Sequence, residues 1–137
     1  MSSSVLFLCT GNSCRSQMAE GWLRHLAGTR FDVASAGTHP VGLNQRAVTV
    51  MKEAGVDIAH HRSTRVDELM GNRFDYVITV CDRARETCPT FPGATSALHW
   101  SFDDPAGAQG EEAARLAVFR RVRDEIAQRV QEFVRNA

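Results

Sequence analysis

Short, uninterrupted apolar runs alternate along this chain with longer stretches in which apolar residues recur every three or four positions. Val5-Leu6-Phe7-Leu8-Cys9 is apolar throughout, the pattern of a strand buried on both faces. From Ser16 to about Ala27, Met18, Ala19, Trp22, Leu23 and Leu26 fall on one helical face, with Ser16 the expected N-cap and Gly28 the stop. Phe31 to Ala36 reads as a second strand ending at Gly37, and Asn44 to Ala54 as a second helix closed by Gly55. Val66 to Met70 reads as a short helical turn ending at Gly71. Tyr76 to Val80 is the expected third strand, delivering Cys81 at its C-terminal end, and Ser96 to Trp100 a weaker fourth. Glu111 to Phe133 reads as a long amphipathic helix whose Leu116, Phe119, Val122, Ile126, Val130 and Phe133 face the core.

Strands alternating with helices predict an α/β fold: a single domain over residues 1–137, with a four-stranded, mostly parallel sheet and helices on both faces. Ligands of such sheets gather outside the C-terminal strand ends. Cys9, Ser35, Cys81 and the segment after Trp100 all fall at such ends.

Composition narrows the function classes. The 137 residues carry sixteen basic and sixteen acidic side chains, so formal net charge is zero and no nucleic-acid footprint is expected. The N-terminus has no positive n-region, and no apolar run approaches the length of a membrane span. A cytoplasmic location is expected. Four cysteines in that compartment point to catalytic or redox chemistry rather than a permanent disulfide framework.

The segment Cys9-Thr10-Gly11-Asn12-Ser13-Cys14-Arg15-Ser16 joins the first strand to the first helix. Backbone N–H groups of a tight loop feeding a helix N-terminus converge on an anion. Arg15 adds a planar fork that can bond two oxygens of a tetrahedral phosphate or arsenate. Cys9 sits at the base of that cradle, where the same positive ends favour its thiolate. The expected oxyanion-binding set is Thr10 to Ser16, with Cys9 the nucleophile; a buried structural cysteine beside a surface arginine is the bland alternative.

Cys81 and Cys88 form a second pair, seven residues apart in a segment of helical composition. On a helix that spacing separates Cα atoms by ~10.5 Å, whereas a disulfide wants roughly 4.4–6.8 Å. The two can pair only if the segment unwinds, which points to a redox switch; two buried reduced thiols remain the alternative. The spacing does not suit a zinc knuckle, His60-His61 reads as loop surface, and no metal or cofactor is expected. After the fourth strand, Phe102-Asp103-Asp104-Pro105 holds an aspartate extended before proline. A protonated carboxyl there can donate to a leaving oxygen, and Asp104, next to the proline, is the better candidate.

These features together resemble the low-molecular-weight protein tyrosine phosphatase superfamily, and within it the thioredoxin-coupled arsenate reductases. The resemblance covers essentially the whole chain. It rests on Cys9-x5-Arg15-Ser16, Gln17-Met18-Ala19-Glu20-Gly21, Ser35-Ala36-Gly37-Thr38, Cys81-x6-Cys88-Pro89, and His99-Trp100 before Asp104-Pro105. It implies that Cys9 attacks arsenate while water leaves with help from Asp104. Cys81 then attacks Cys9, releasing arsenite, and Cys88 attacks Cys81 to give a Cys81–Cys88 disulfide that thioredoxin reduces. Arg15 and the loop amides would hold the oxyanion throughout, in a monomer. Cys14 has a counterpart in phosphatases and reductases alike. Some members bind potassium through residues matching Asn12, Glu20 and Ser35 and a loop around residues 62–64. Here Arg62-Ser63-Thr64 lacks the acidic residue, Arg62 can itself supply a cation, and no potassium requirement is expected.

Two other functions compete. A phosphatase acting on phosphate monoesters would need Cys9, Arg15 and Asp104 but neither Cys81 nor Cys88. The Ala106-Gly107-Ala108 that follows Asp104-Pro105 offers no aromatic wall for a phosphotyrosine ring. The other is a thiol redox sensor or phosphoryl carrier without turnover; a carrier would have no use for a general acid in the Asp104-Pro105 segment.

Overall fold

A computed structural model describes residues 3–82 and 90–137. Four strands, β1 (Ser3–Cys9), β2 (Phe31–Gly37), β3 (Phe74–Thr79) and β4 (Ala94–His99), form one sheet in the order β2-β1-β3-β4. Every pairing is parallel. The α-helices are α1 (Arg15–Ala27), α2 (Gln45–Glu53) and α3 (Glu112–Asn136), with single 3-10 turns at Val66–Leu69 and Pro105–Gly107. Among the described residues no helix is long and apolar enough to cross a membrane.

The strand order follows from the direction in which the chain winds. From β1 it moves through α1 to β2 on one side, then returns to place β3 on the other. The C-terminal ends of β1 and β3 therefore flank the crevice where a ligand can enter, with α1 starting directly above it.

Period-two alternation divides the core. Val5, Phe7 and Cys9 of β1 face a cluster with Met18, Leu23, Val50, Met51, Phe119, Val122, Ile126 and Val130, so α1, α2 and α3 cover one face. Leu6 and Leu8 point to the opposite face, with Ala36, Val77 and Phe91, and there the Val66–Leu69 turn packs. Among the described residues the three α-helices thus cover one face, where helices on both were expected, and a single 3-10 turn packs on the other. Phe133 near the end of α3 meets the rings of Phe31, Tyr76 and Trp100 at 5.5, 5.0 and 5.8 Å, tying that helix across the sheet.

The expected elements that fall on the described residues form, with shifted edges. β3 and β4 each begin two residues earlier than their apolar runs suggest, because Phe74 and Ala94 pair in register. Asn44 caps α2, accepting from the N–H groups of Arg46 and Ala47, and Gly55 ends it with φ +86°. The expected cap of α1 is corrected: the helix begins at Arg15, and Ser16 lies inside it. Its hydroxyl is drawn to Cys9 and Asn12 instead. The helix expected between Cys81 and Cys88, and Cys88 itself, lie outside the described residues.

Gly37 closes β2 where the backbone of the Cys9–Ser16 loop passes over it. A Cβ there would lie 2.5 Å from the Thr10 carbonyl oxygen and 3.0 Å from the Asn12 nitrogen. Gly37→Ala is expected to push that loop away and to cost about 1–3 kcal/mol by overpacking. Urea unfolding reads this loss, and unchanged stability would show that the contact yields freely.

Candidate active site

The Cys9–Ser16 loop is shaped by where its carbonyls go. Thr10 O accepts from His39 N at 2.9 Å, Gly11 O from Val41 N at 3.1 Å, and Ser13 O from Asn44 N at 3.1 Å. Asn12 O accepts from Ser63 Oγ at 2.7 Å and from Gln17 Nε2 at 3.1 Å. Four successive carbonyls are thus drawn outward by neighbouring segments. Because each peptide is planar and trans, the opposed N–H groups turn toward the loop interior.

Cys9 sits at the base of that interior, buried at the end of β1. Asn12 N donates to its Sγ at 3.2 Å, and Ser16 Oγ lies 3.0 Å away. Asn12 Nδ2 donates to Ser16 Oγ at 2.8 Å, which leaves the hydroxyl hydrogen of Ser16 for the sulfur. Donors of this kind stabilise negative charge on sulfur. Asn12 adopts φ +47°, and is the only non-glycine in the left-handed region among the described residues. Its side-chain oxygen accepts from Thr64 N at 2.8 Å and Gln17 Nε2 at 3.2 Å, which hold it there.

Arg15, also buried, donates through Nη1 to Phe102 O at 3.2 Å, and its Nη2 lies 3.8 Å from Asp104 Oδ2. The fork of the loop is therefore docked against the segment that carries the candidate acid. Asp104 is 47% exposed and accepts from Ala106 N at 3.0 Å, capping the turn that begins at the buried Pro105. Asp103 turns the other way and pairs with Arg121 at 3.0 Å. The neighbouring carboxylates are thus separated into one beside the arginine and one on α3.

Cys14 is buried, and burial pushes its thiol up to about 12, with the charges of Asp104 and Cys9 adding and the Ser13 hydroxyl opposing. It is a poor nucleophile despite standing in the loop. Cys81 is buried two residues past the end of β3, on the other side of the crevice from Cys9. It is disulfide-bonded, whereas Cys9 and Cys14 are free thiols.

Behind the loop, Glu20 joins Ser35 to Arg24. Ser35 Oγ donates to Oε1 at 2.6 Å, and Arg24 Nε donates to Oε2 at 2.9 Å while its Nη2 also reaches Val33 O at 2.6 Å. The donor set that matches a potassium site is therefore committed to protein partners, and Arg24 supplies the positive charge. Arg62, the cation expected from the sequence, instead pairs with Glu68 at 3.6 Å, its side chain 80% exposed. His61, expected at the loop surface, is corrected too: its side chain is only 6% exposed, with Nδ1 3.0 Å from Gln17 Oε1. Burial pulls its pKa below the ordinary value, opposed by Glu20. His60 remains exposed. That Gln17, Ser63, Thr64 and the 39–44 segment hold the loop was not expected, although Gln17 and residues 62–64 lie in segments on which the resemblance was drawn.

Residues 4–137 match the family described as low molecular weight phosphotyrosine protein phosphatase. An arsenate reductase of Bacillus subtilis (strain 168) is 50% identical over 129 residues, 94% of this chain and 93% of that protein. A solved structure described as an arsenate reductase in the phosphate binding state superposes with TM-score 0.84 at 30% identity, covering 98% of both chains. A thioredoxin-dependent arsenate reductase of Corynebacterium glutamicum superposes with TM-score 0.71 at 27% identity, covering 98% of this chain and 61% of that one.

Two outcomes follow. In the reduced, folded protein at about pH 8.5, iodoacetamide is expected to modify Cys9 and to leave Cys14 unmodified, read by peptide mass mapping. Comparable labelling of both would contradict the burial of Cys14. Replacing potassium by choline at constant ionic strength is expected to leave arsenate KM within about two-fold, since Arg24 already serves Glu20.

Proposed function

Since this chain belongs to the low molecular weight phosphotyrosine protein phosphatase family, we propose that it is an arsenate reductase that works through a cysteine relay. The observation that carries this reading is the loop whose carbonyls are turned outward around Cys9 and Arg15. Such a cradle suits a tetrahedral oxyanion, and a structurally similar arsenate reductase is described in a phosphate-binding state. Relatives 49% and 50% identical to this chain over 94% of its length are arsenate reductases, whereas a structurally similar low molecular weight protein tyrosine phosphatase is 25% identical, which favours reduction over hydrolysis.

The Cys9 thiolate attacks As(V), and one arsenate oxygen leaves as water with a proton from Asp104, giving a Cys9–S–arsenic adduct. Cys81 attacks the Cys9 sulfur, and the S–As bonding pair goes to arsenic. Arsenic is thereby reduced to As(III) and departs as arsenite, while the two thiols are oxidised to a Cys9–Cys81 disulfide. Cys88 then attacks Cys81, releasing Cys9 as a thiolate and leaving a Cys81–Cys88 disulfide. Thr10 to Ser16 hold the oxyanion oxygens, with Arg15 balancing their charge. A free Cys9 together with a disulfide-bonded Cys81 is in keeping with the end of this relay.

Thioredoxin is the proposed reductant, in keeping with the thioredoxin-dependent relative, and the working unit is a cytoplasmic monomer with no metal or other cofactor. Hydrolysis of phosphate monoesters is the second reading, favoured by the family and by a structurally similar low molecular weight protein tyrosine phosphatase. It needs only Cys9, Arg15 and Asp104.

The test is arsenate-dependent NADPH consumption with thioredoxin and thioredoxin reductase. Cys81→Ser and Cys88→Ser are each expected to abolish sustained turnover, with any slow aryl-phosphate hydrolysis retained. Asp104→Asn is expected to slow arsenate turnover by about a hundred-fold. Full arsenate turnover in either cysteine variant would sink the relay.

A further inference from the structure

We propose that His61 is a positioning residue for Cys9, acting through Gln17 and Asn12 by donating its Nδ1 hydrogen to the Gln17 amide oxygen. The inference deepens the proposed function and rests on Cys9 as its nucleophile. It begins with the orientation of one buried amide. Gln17 Nε2 lies within hydrogen-bond distance of three oxygens, Asn12 O at 3.1 Å, Asn12 Oδ1 at 3.2 Å and Arg62 O at 2.9 Å. All three are acceptors, so the nitrogen must face them and the amide cannot be flipped. Gln17 Oε1 is thereby turned to His61 Nδ1 at 3.0 Å. An amide oxygen accepts only, so Nδ1 carries the hydrogen.

The ring is fixed from several sides. His61 N donates to Ile58 O at 2.9 Å, the His60 ring stands edge-on at 4.8 Å, and Nε2 lies 4.0 Å from Glu20 Oε2, beyond hydrogen-bond distance. Arg24 already holds that carboxylate oxygen at 2.9 Å, so the ring is not needed to neutralise it. What His61 alone supplies is the donor to Gln17.

The consequence runs in three bonds to the sulfur. If the Nδ1 hydrogen is removed, Gln17 Oε1 becomes a fully buried acceptor without a partner, and the amide gains by turning away. Turning it would set oxygen against the two Asn12 oxygens. Asn12 holds a left-handed conformation that Gln17 supports through two bonds, beside those from Ser63 and Thr64. Once released, it would withdraw both its N–H bond to Cys9 Sγ and its support of Ser16. An open pocket of about 500 Å³ lined by His61, Glu20, Ser35 and Thr64 leads from solvent to the ring. A small molecule can therefore reach the space that a truncated side chain leaves.

The test reads Cys9 itself. In the reduced full-length protein, the rate of Cys9 alkylation by iodoacetamide is followed by peptide mass, beside arsenate kcat/KM with the thioredoxin system. His61→Leu is expected to slow both by roughly five- to ten-fold, the worth of one net hydrogen bond. His61→Asn has nearly the same shape but carries an N–H near the Nδ1 position, and it is expected to recover most of the loss. Equal rates for wild type and H61L, or an H61N as slow as H61L, would overturn the proposal. Should H61L not fold, H61A is assayed with added imidazole and with 1-methylimidazole at about pH 8.5, where both are neutral. Recovery with imidazole alone supports the donor role, because only imidazole then carries an N–H; no recovery, or equal recovery, contradicts it. Wild-type protein that alkylates normally at Cys9 yet does not turn over arsenate would refute the proposed function while leaving the alkylation comparison to decide the role of His61.

Discussion

The interaction on which the rest depends is the outward pull on the carbonyls of Thr10 to Ser13. A loop of this length left to itself would bond its own amides and carbonyls in turns. Here the 39–44 segment, Ser63 and Gln17 take the carbonyls, so the loop cannot collapse on itself and its N–H groups are kept for a guest. The period-two register of β1 then aims Cys9 at the helical side, beneath α1. Strand register, loop orientation and helix start together make the proposed anion site from eight consecutive residues.

Charge is handled differently in front of the loop and behind it. In front, Arg15 spans from the loop to the segment bearing Asp104, bonding Phe102 O and lying beside the carboxylate of the candidate acid. Behind, Glu20 is engaged by Ser35 and Arg24, so its charge is balanced by a side chain of the protein itself. Exposed ion pairs between α2 and α3, such as Arg120–Glu53 and Arg46–Glu112, contribute little by comparison and serve chiefly to orient the helices.

Much of this was legible in the residues. The unbroken apolar run before Cys9 announced a central strand, and the three- and four-residue spacing from Leu116 to Phe133 announced α3. Cys9, Arg15 and the Asp-Pro segment were found because their chemistry is local and their spacing is short. The supporting residues were not. His61 looked like loop surface because nothing in its neighbours reveals that a pocket behind α1 will receive it. Arg24 was overlooked in favour of Arg62 because an i, i+4 partner on a helix is visible only once Glu20 is known to point inward. Ser16 resembled a helix cap because a serine at such a boundary ordinarily is one, and here the sulfur competes for its hydroxyl. Second-layer contacts join segments far apart in sequence, and no local pattern encodes them.

The central claim is that Cys9 grips the oxyanion while the electrons that reduce it come first from Cys9 and Cys81. The most direct measurement is a single turnover of arsenate by fully reduced Cys88→Ser protein, with free thiols trapped and disulfides mapped by mass spectrometry. One equivalent of arsenite together with one equivalent of a Cys9–Cys81 disulfide is the expected result. Arsenite formed without that disulfide, or that disulfide formed without arsenite, would contradict the account.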